Sequence, residues 1–125
     1  MNQHVTAFNL GNADSTLVQL NSGKVVLIDY ANTKTEDPDD LRCDLPKELN
    51  SRVQKDHFDV VAFTHADLDH VKGFADYFYL EHAAKYQGGD RKKITDLWVP
   101  ANVILEQGCE DESRILREEA RYRLR

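Results

Sequence analysis

The sequence predicts a mixed α and β fold with helices packed outside sheets. Three observations carry this expectation. Short β-prone runs in the first quarter are separated by turns rich in Gly, Asn and Asp. Residues 25–28 and 60–63 are apolar runs of the kind found in strands covered by other layers. Beyond residue 44, helical and extended patterns alternate, as in layered α/β chains. The 125 residues, 41% of them hydrophobic, suit a single domain with a modest core.

The elements follow in order. Residues 4–10 alternate, with Val5, Ala7 and Asn9 on one side and Thr6, Phe8 and Leu10 on the other, as a strand requires. Residues 11–14 form a turn, and residues 15–20 a second strand. Asn21-Ser22-Gly23-Lys24 is a hairpin signal, because Asn and Gly tolerate positive φ. Residues 25–28 are a buried strand ending at Asp29. Residues 35–40 are acidic and contain a proline, so an exposed loop is expected. A calcium loop would need a central Gly, which is missing there. Residues 45–53 read as a helix with Pro46 in its first turn, where proline is tolerated. Residues 58–63 form a strand, 71–80 a helix, and 87–90 a loop. A strand over 94–99 is stopped by Pro100, and 110–125 form the last helix.

Composition excludes several classes. No run reaches the roughly 18–20 apolar residues of a membrane span. Met1-Asn2-Gln3-His4 lacks the basic and apolar pattern of a signal peptide, so a cytoplasmic chain with no membrane partner is expected. A net charge of −6 argues against a surface that grips nucleic acid throughout, while leaving room for a local phosphoester site. Cys43 and Cys109 form no CxxC pair and read as two reduced thiols.

The strongest chemical signal is His65-x-Asp67-x-Asp69-His70, directly after a buried strand and before a helix. Ligand sites in sheet proteins gather at such strand ends. Residues two apart in extended chain point the same way, so His65 and Asp67 can converge, with Asp69 and His70 at the helix entry. Imidazole and carboxylate donors suit zinc, with manganese or iron(II) as alternatives. Such an ion lowers the pKa of water and withdraws charge from a carbonyl or phosphoryl oxygen, and both effects favour hydrolysis. The competing structural use is helix capping by Asp67 or Asp69.

The run Thr64-His65-Ala66-Asp67-Leu68-Asp69-His70-Val71-Lys72-Gly73-Phe74 resembles the metal-binding motif of metallo-β-lactamase-fold hydrolases. Asp67 stands where the usual motif has its second His, a variant typical of the ComEC-like branch. The early Gly11-Asn12-Ala13-Asp14-Ser15 turn and the strand ending in Asp29 resemble two further motifs of that branch, in the same order. The likeness spans residues 4–100 and implies the N-terminal portion of an αββα sandwich. It implies up to two metal ions, one touched by His65 and Asp67 and a second by Asp69 and His70. Asp69 would stand beside the attacking water, and Asp29 would hold a ligand from behind by a hydrogen bond. The implied activity is metal-dependent hydrolysis of a phosphodiester, in a nucleic acid or a small molecule. A thioester or lactam hydrolase and a non-catalytic interaction module are the alternatives. The family draws further ligands from a second half, so this chain is expected to be truncated, with the rest of the site in a missing half or a partner chain.

Other candidates have plainer expectations. Asp14 is expected to bond its own turn. His4, His57 and His82 are isolated and read as surface or packing residues. Tyr77, Phe78, Tyr79 and Trp98 read as core. Arg114, Arg117, Arg121 and Arg125 form a helical stripe, read as a solvated face with Glu110–Arg114 and Glu119–Arg123 pairs. As an interaction module, the chain would present Ile115, Leu116 and Tyr122 of the same helix to a partner.

Overall fold

The computed structural model describes residues 3–105 and 111–124. Five strands, β1 (His4–Ala7), β2 (Thr16–Gln19), β3 (Val25–Ile28), β4 (His57–Ala62) and β5 (Lys93–Trp98), make one sheet in sequence order. The first three are antiparallel, joined by short turns. The pairs β3–β4 and β4–β5 are parallel. Parallel neighbours need crossovers, and helical segments supply both. The first holds α1 (Leu45–Arg52), and the second α2 (Leu68–Val71) and α3 (Phe74–Tyr77). Two more helices, α4 (Ala101–Leu105) and α5 (Asp111–Arg123), follow β5. The fold is thus mixed α/β.

The register divides the sheet into two unlike faces. On one, Leu17, Leu27 and Val61 stand side by side, all buried. They join Leu45 and Leu49 of α1, Phe74 and Phe78, and Leu116 of α5 in one apolar core. On the other face the row Val5, Val18, Val26, Val60, Asp96 lies beside the row Ala7, Thr16, Ile28, Ala62, Trp98. Most of these residues are apolar, yet all are at least partly exposed, Val5 at 72% and Trp98 at 60%. An apolar sheet face left open is a surface that normally has a covering layer.

Local chemistry explains the elements. Asp44 caps α1 by accepting from Lys47 N–H at 3.3 Å, and Pro46 sits in the first turn. Leu45 and Leu49, one turn apart, bury the same face. The helix expected over 71–80 is instead broken. Gly73 adopts φ 83°, and a Cβ there would meet Asn32 Cβ at 3.3 Å. The carboxylate of Glu112, on α5, accepts from Gly73 N–H through both oxygens at 2.8 Å, fixing the break. After Tyr77 the chain runs extended, and Tyr79 N–H donates to Lys92 O at 2.7 Å. Of the aromatics expected in the core, Tyr77 and Phe78 pack there, across a helix end, whereas Tyr79 is only partly buried.

Three other expectations need correction, and the one for Pro100 holds. Trp98 lies on the open face and not in the core. Pro100 stops β5 and also begins α4, accepting from Val103 N–H at 3.0 Å. The arginine stripe is only partly solvated: Arg114 is exposed, but Arg121 donates to Ile104 O at 2.9 Å. Arg117 is largely covered and meets Glu118 at 3.1 Å. Leu116 is buried in the chain's own core and so is not offered to a partner. Glu110, Arg125 and Cys109 lie outside the described residues.

Candidate functional site

The site starts from a ladder that overruns its strands. Asp29 N–H donates to Ala62 O at 2.7 Å, and Phe63 N–H to Trp98 O at 2.9 Å, so pairing continues just past the ends of β3 and β4. Asp29 then turns with φ 61°, a conformation Asp tolerates better than most residues. The turn buries its carboxylate, leaving the residue 3% exposed. A buried carboxylate needs donors. Thr64 N–H supplies one to Oδ1 at 2.8 Å, and Thr64 Oγ1 a second to Oδ2 at 2.6 Å. His70 Nδ1 lies 3.1 Å from the same Oδ2, at ion-pair distance but off the direction of a good hydrogen bond.

Backbone bonds lock three chain segments together here. Tyr30 N–H donates to His70 O at 3.0 Å, and Asn32 N–H to Lys72 O at 2.8 Å. Asp14 N–H donates to Asp69 O at 3.3 Å. Asp14 therefore ties the first turn to the motif through its backbone; its side chain has no hydrogen bond among the described residues, contrary to the expected bond to its own turn. From the far side, Ser113 Oγ of α5 donates to Ala66 O. Below the site, burial and neighbouring Tyr77 push the Tyr30 hydroxyl well above the ordinary tyrosine range. Tyr30 serves as packing, stacked on Tyr77 at 5.2 Å.

The motif side chains separate into two groups. The His65 and His70 rings lie side by side, with centroids 4.8 Å apart. Asp69 Oδ1 stands 3.6 Å from His70 Nε2, its side chain half exposed. Asp67 is exposed and meets none of the other three; its carbonyl, not its carboxylate, accepts from His70 N–H at 2.9 Å. Among the described residues, no three His, Cys, Asp or Glu side chains converge as a metal-binding group.

Donor chemistry can still be compared with a divalent ion. Two donors on one tetrahedral zinc, each bound at about 2.0–2.2 Å, stand roughly 3.3–3.6 Å apart. The 3.6 Å between His70 Nε2 and Asp69 Oδ1 matches that spacing. Asp29 behind Nδ1 matches the carboxylate that commonly orients a metal-binding imidazole. The residues fit zinc in donor type and in this one spacing, and fall short of it in number.

Two features escaped the sequence reading. Thr64 directly precedes the motif, and only the burial of Asp29 reveals its use. The other is Glu119, fully buried, which accepts from Glu81 N–H, His82 N–H and Arg123 Nε at 2.7–3.0 Å, with His82 Nδ1 at 2.8 Å. The i,i+4 spacing of Glu119 and Arg123 pointed to their pairing, but on an exposed face. His82, expected to be isolated, is half of a buried pair. Compared with protein-family models, characterised proteins and solved structures, the chain finds no match. Among the described residues no helix is long and apolar enough to cross a membrane.

Proposed function

We propose that this chain is part of a metal-dependent hydrolase acting on a phosphodiester, built on the N-terminal portion of a ComEC-like metallo-β-lactamase sandwich. The observation that carries the reading is the His65–His70 ring pair at the end of β4, with Asp69 on one side of His70 and Asp29 on the other. The open apolar face of the sheet supports the sandwich, because a second sheet would cover Val18, Val26, Ile28 and Val60.

His65, Asp67, Asp69 and His70 would hold the metal, zinc in preference to manganese or iron(II), with up to two ions. Bound there, the ion supplies water of lowered pKa and charge withdrawal from a phosphoryl oxygen. The remaining ligands would come from a second segment or a partner chain. Asp69, half exposed beside His70, accepts the proton of the attacking water. Asp29 holds the His70 ring against rotation. The leaving alkoxide departs to solvent on the open side, where His65, Asp67 and Asp69 are exposed.

One observation favours a second reading. The shortage of converging ligands fits a non-catalytic module whose apolar sheet face docks on another protein. An activity panel separates the two. Protein reconstituted with Zn²⁺ or Mn²⁺ is assayed on bis(p-nitrophenyl) phosphate, single-stranded DNA, a thioester and a β-lactam. Phosphodiester cleavage that chelator abolishes and Asp69→Ala removes supports the proposal. Cleavage of the thioester or lactam alone replaces the substrate class, and inertness toward all four favours the module.

A further inference from the structure

Thr64 makes two contacts that together fix where protons sit. Its Oγ1 lies 2.6 Å from Asp29 Oδ2 and 3.1 Å from His65 Nδ1. A hydroxyl has one proton to give, and a carboxylate can only accept. The shorter contact has the length of a charge-assisted O–H···O⁻ bond, so the proton is given to Asp29. The lone pairs of Thr64 Oγ1 then face His65, whose Nδ1 must be the donor. His70 Nδ1 is buried 3.1 Å from the same carboxylate oxygen and has no other partner among the described residues. A bare nitrogen there would set lone pair against lone pair, so it too carries a proton.

We propose that Thr64 is a positioning residue: through its hydroxyl the buried Asp29 carboxylate governs both site histidines, directly for His70 and by relay for His65. Both rings are held in the Nδ1–H tautomer, the one free imidazole disfavours, with both Nε2 lone pairs left for a ligand. On His70 the bare Nε2 faces Asp69 Oδ1, two acceptors 3.6 Å apart that a cation between them would satisfy. The His65 tautomer follows from the two Thr64 hydrogen bonds and the His70 tautomer from the 3.1 Å approach of its Nδ1 to the Asp29 carboxylate; their purpose rests on the hydrolase proposal.

Nitrogen-15 NMR of histidine-labelled, metal-free protein at about pH 8, above the ordinary imidazole pKa, reads the tautomers directly. Both His65 and His70 are expected to show a protonated Nδ1 and a bare Nε2. Thr64→Val keeps the backbone bond to Asp29 and should move His65 alone to the Nε2–H form. Thr64→Ser should restore it. Zinc affinity should fall about 10–100-fold in Thr64→Val and recover in Thr64→Ser, the range seen when a residue supporting a ligand is lost. A wild-type spectrum with His65 as Nε2–H overturns the relay without any variant. So does Thr64→Val that leaves the His65 tautomer unchanged. If the tautomers are as stated but zinc does not bind, the relay stands and the hydrolase proposal falls.

Discussion

Two buried carboxylates each meet a histidine in this fold, and they are used in opposite ways. Glu119 is closed on every side, with two backbone N–H groups, His82 and the permanent cation of Arg123 around it. Burial alone would raise its pKa, but the bonds from Glu81 N–H, Arg123 and His82 outweigh burial and hold it below the ordinary glutamate value. The result is a clasp between α5 and the part of the β4–β5 crossover that follows α3. Among the described residues, Asp29 instead has no arginine or lysine in contact with its carboxylate. Its donors are the Thr64 amide and hydroxyl, with the His70 imidazole at ion-pair distance, and the hydroxyl and the imidazole lead outward to exposed or half-exposed chemistry. A carboxylate neutralised by a fixed cation stabilises; one bonded to neutral, adjustable donors can orient a site.

The largest effect should come from opening the closed cluster. Glu119→Ala leaves Arg123 and two amides without their acceptor and should cost about 3–5 kcal/mol in urea unfolding, the penalty for breaking a buried ion pair. The same residue sets an acid dependence. Because its folded pKa is lowered, its contribution is complete above the unfolded glutamate value of about 4.5 and is lost as pH falls below it. Glu119→Gln should flatten that acid limb of the stability curve.

Asp29→Ala should cost less, about 1–3 kcal/mol, for an amide and a hydroxyl of Thr64 that lose their acceptor. Its distinguishing mark should be in the His65 and His70 resonances, which Glu119→Ala should leave alone. Gly73→Ala comes next, at about 1–2 kcal/mol for a left-handed residue gaining a Cβ. Thermal unfolding measures both. Trp98→Ser, on the open face, should change stability by less than about 0.5 kcal/mol, although a buried tryptophan would cost several times more.

Much of this fold was legible in sequence, because strands and the first helix follow local rules. Val25, Leu27 and Val61 announce buried strands, Asn21 and Gly23 a hairpin, and Asp44 with Pro46 a helix start. What was hidden depends on partners far away in the chain. The break at Gly73 is fixed by Glu112, 39 residues on. The exposure of Trp98 depends on which layer covers its face, which no local pattern encodes. At the site, spacing alone placed His65, Asp69 and His70 at a strand end. Thr64 was silent because its use depends on Asp29, 35 residues earlier. Asp67 has the spacing of a ligand, but that spacing does not encode its exposure or its distance from the contacts the other three make.

Calorimetric titration of the purified, metal-free chain with Zn²⁺ tests the central claim most directly. Saturable binding near one ion per chain in the wild type, lost in His70→Ala and in Asp69→Ala while both variants remain folded, is the expected result. A well-folded wild type that takes up no zinc, or variants that bind it as well as the wild type, would contradict it.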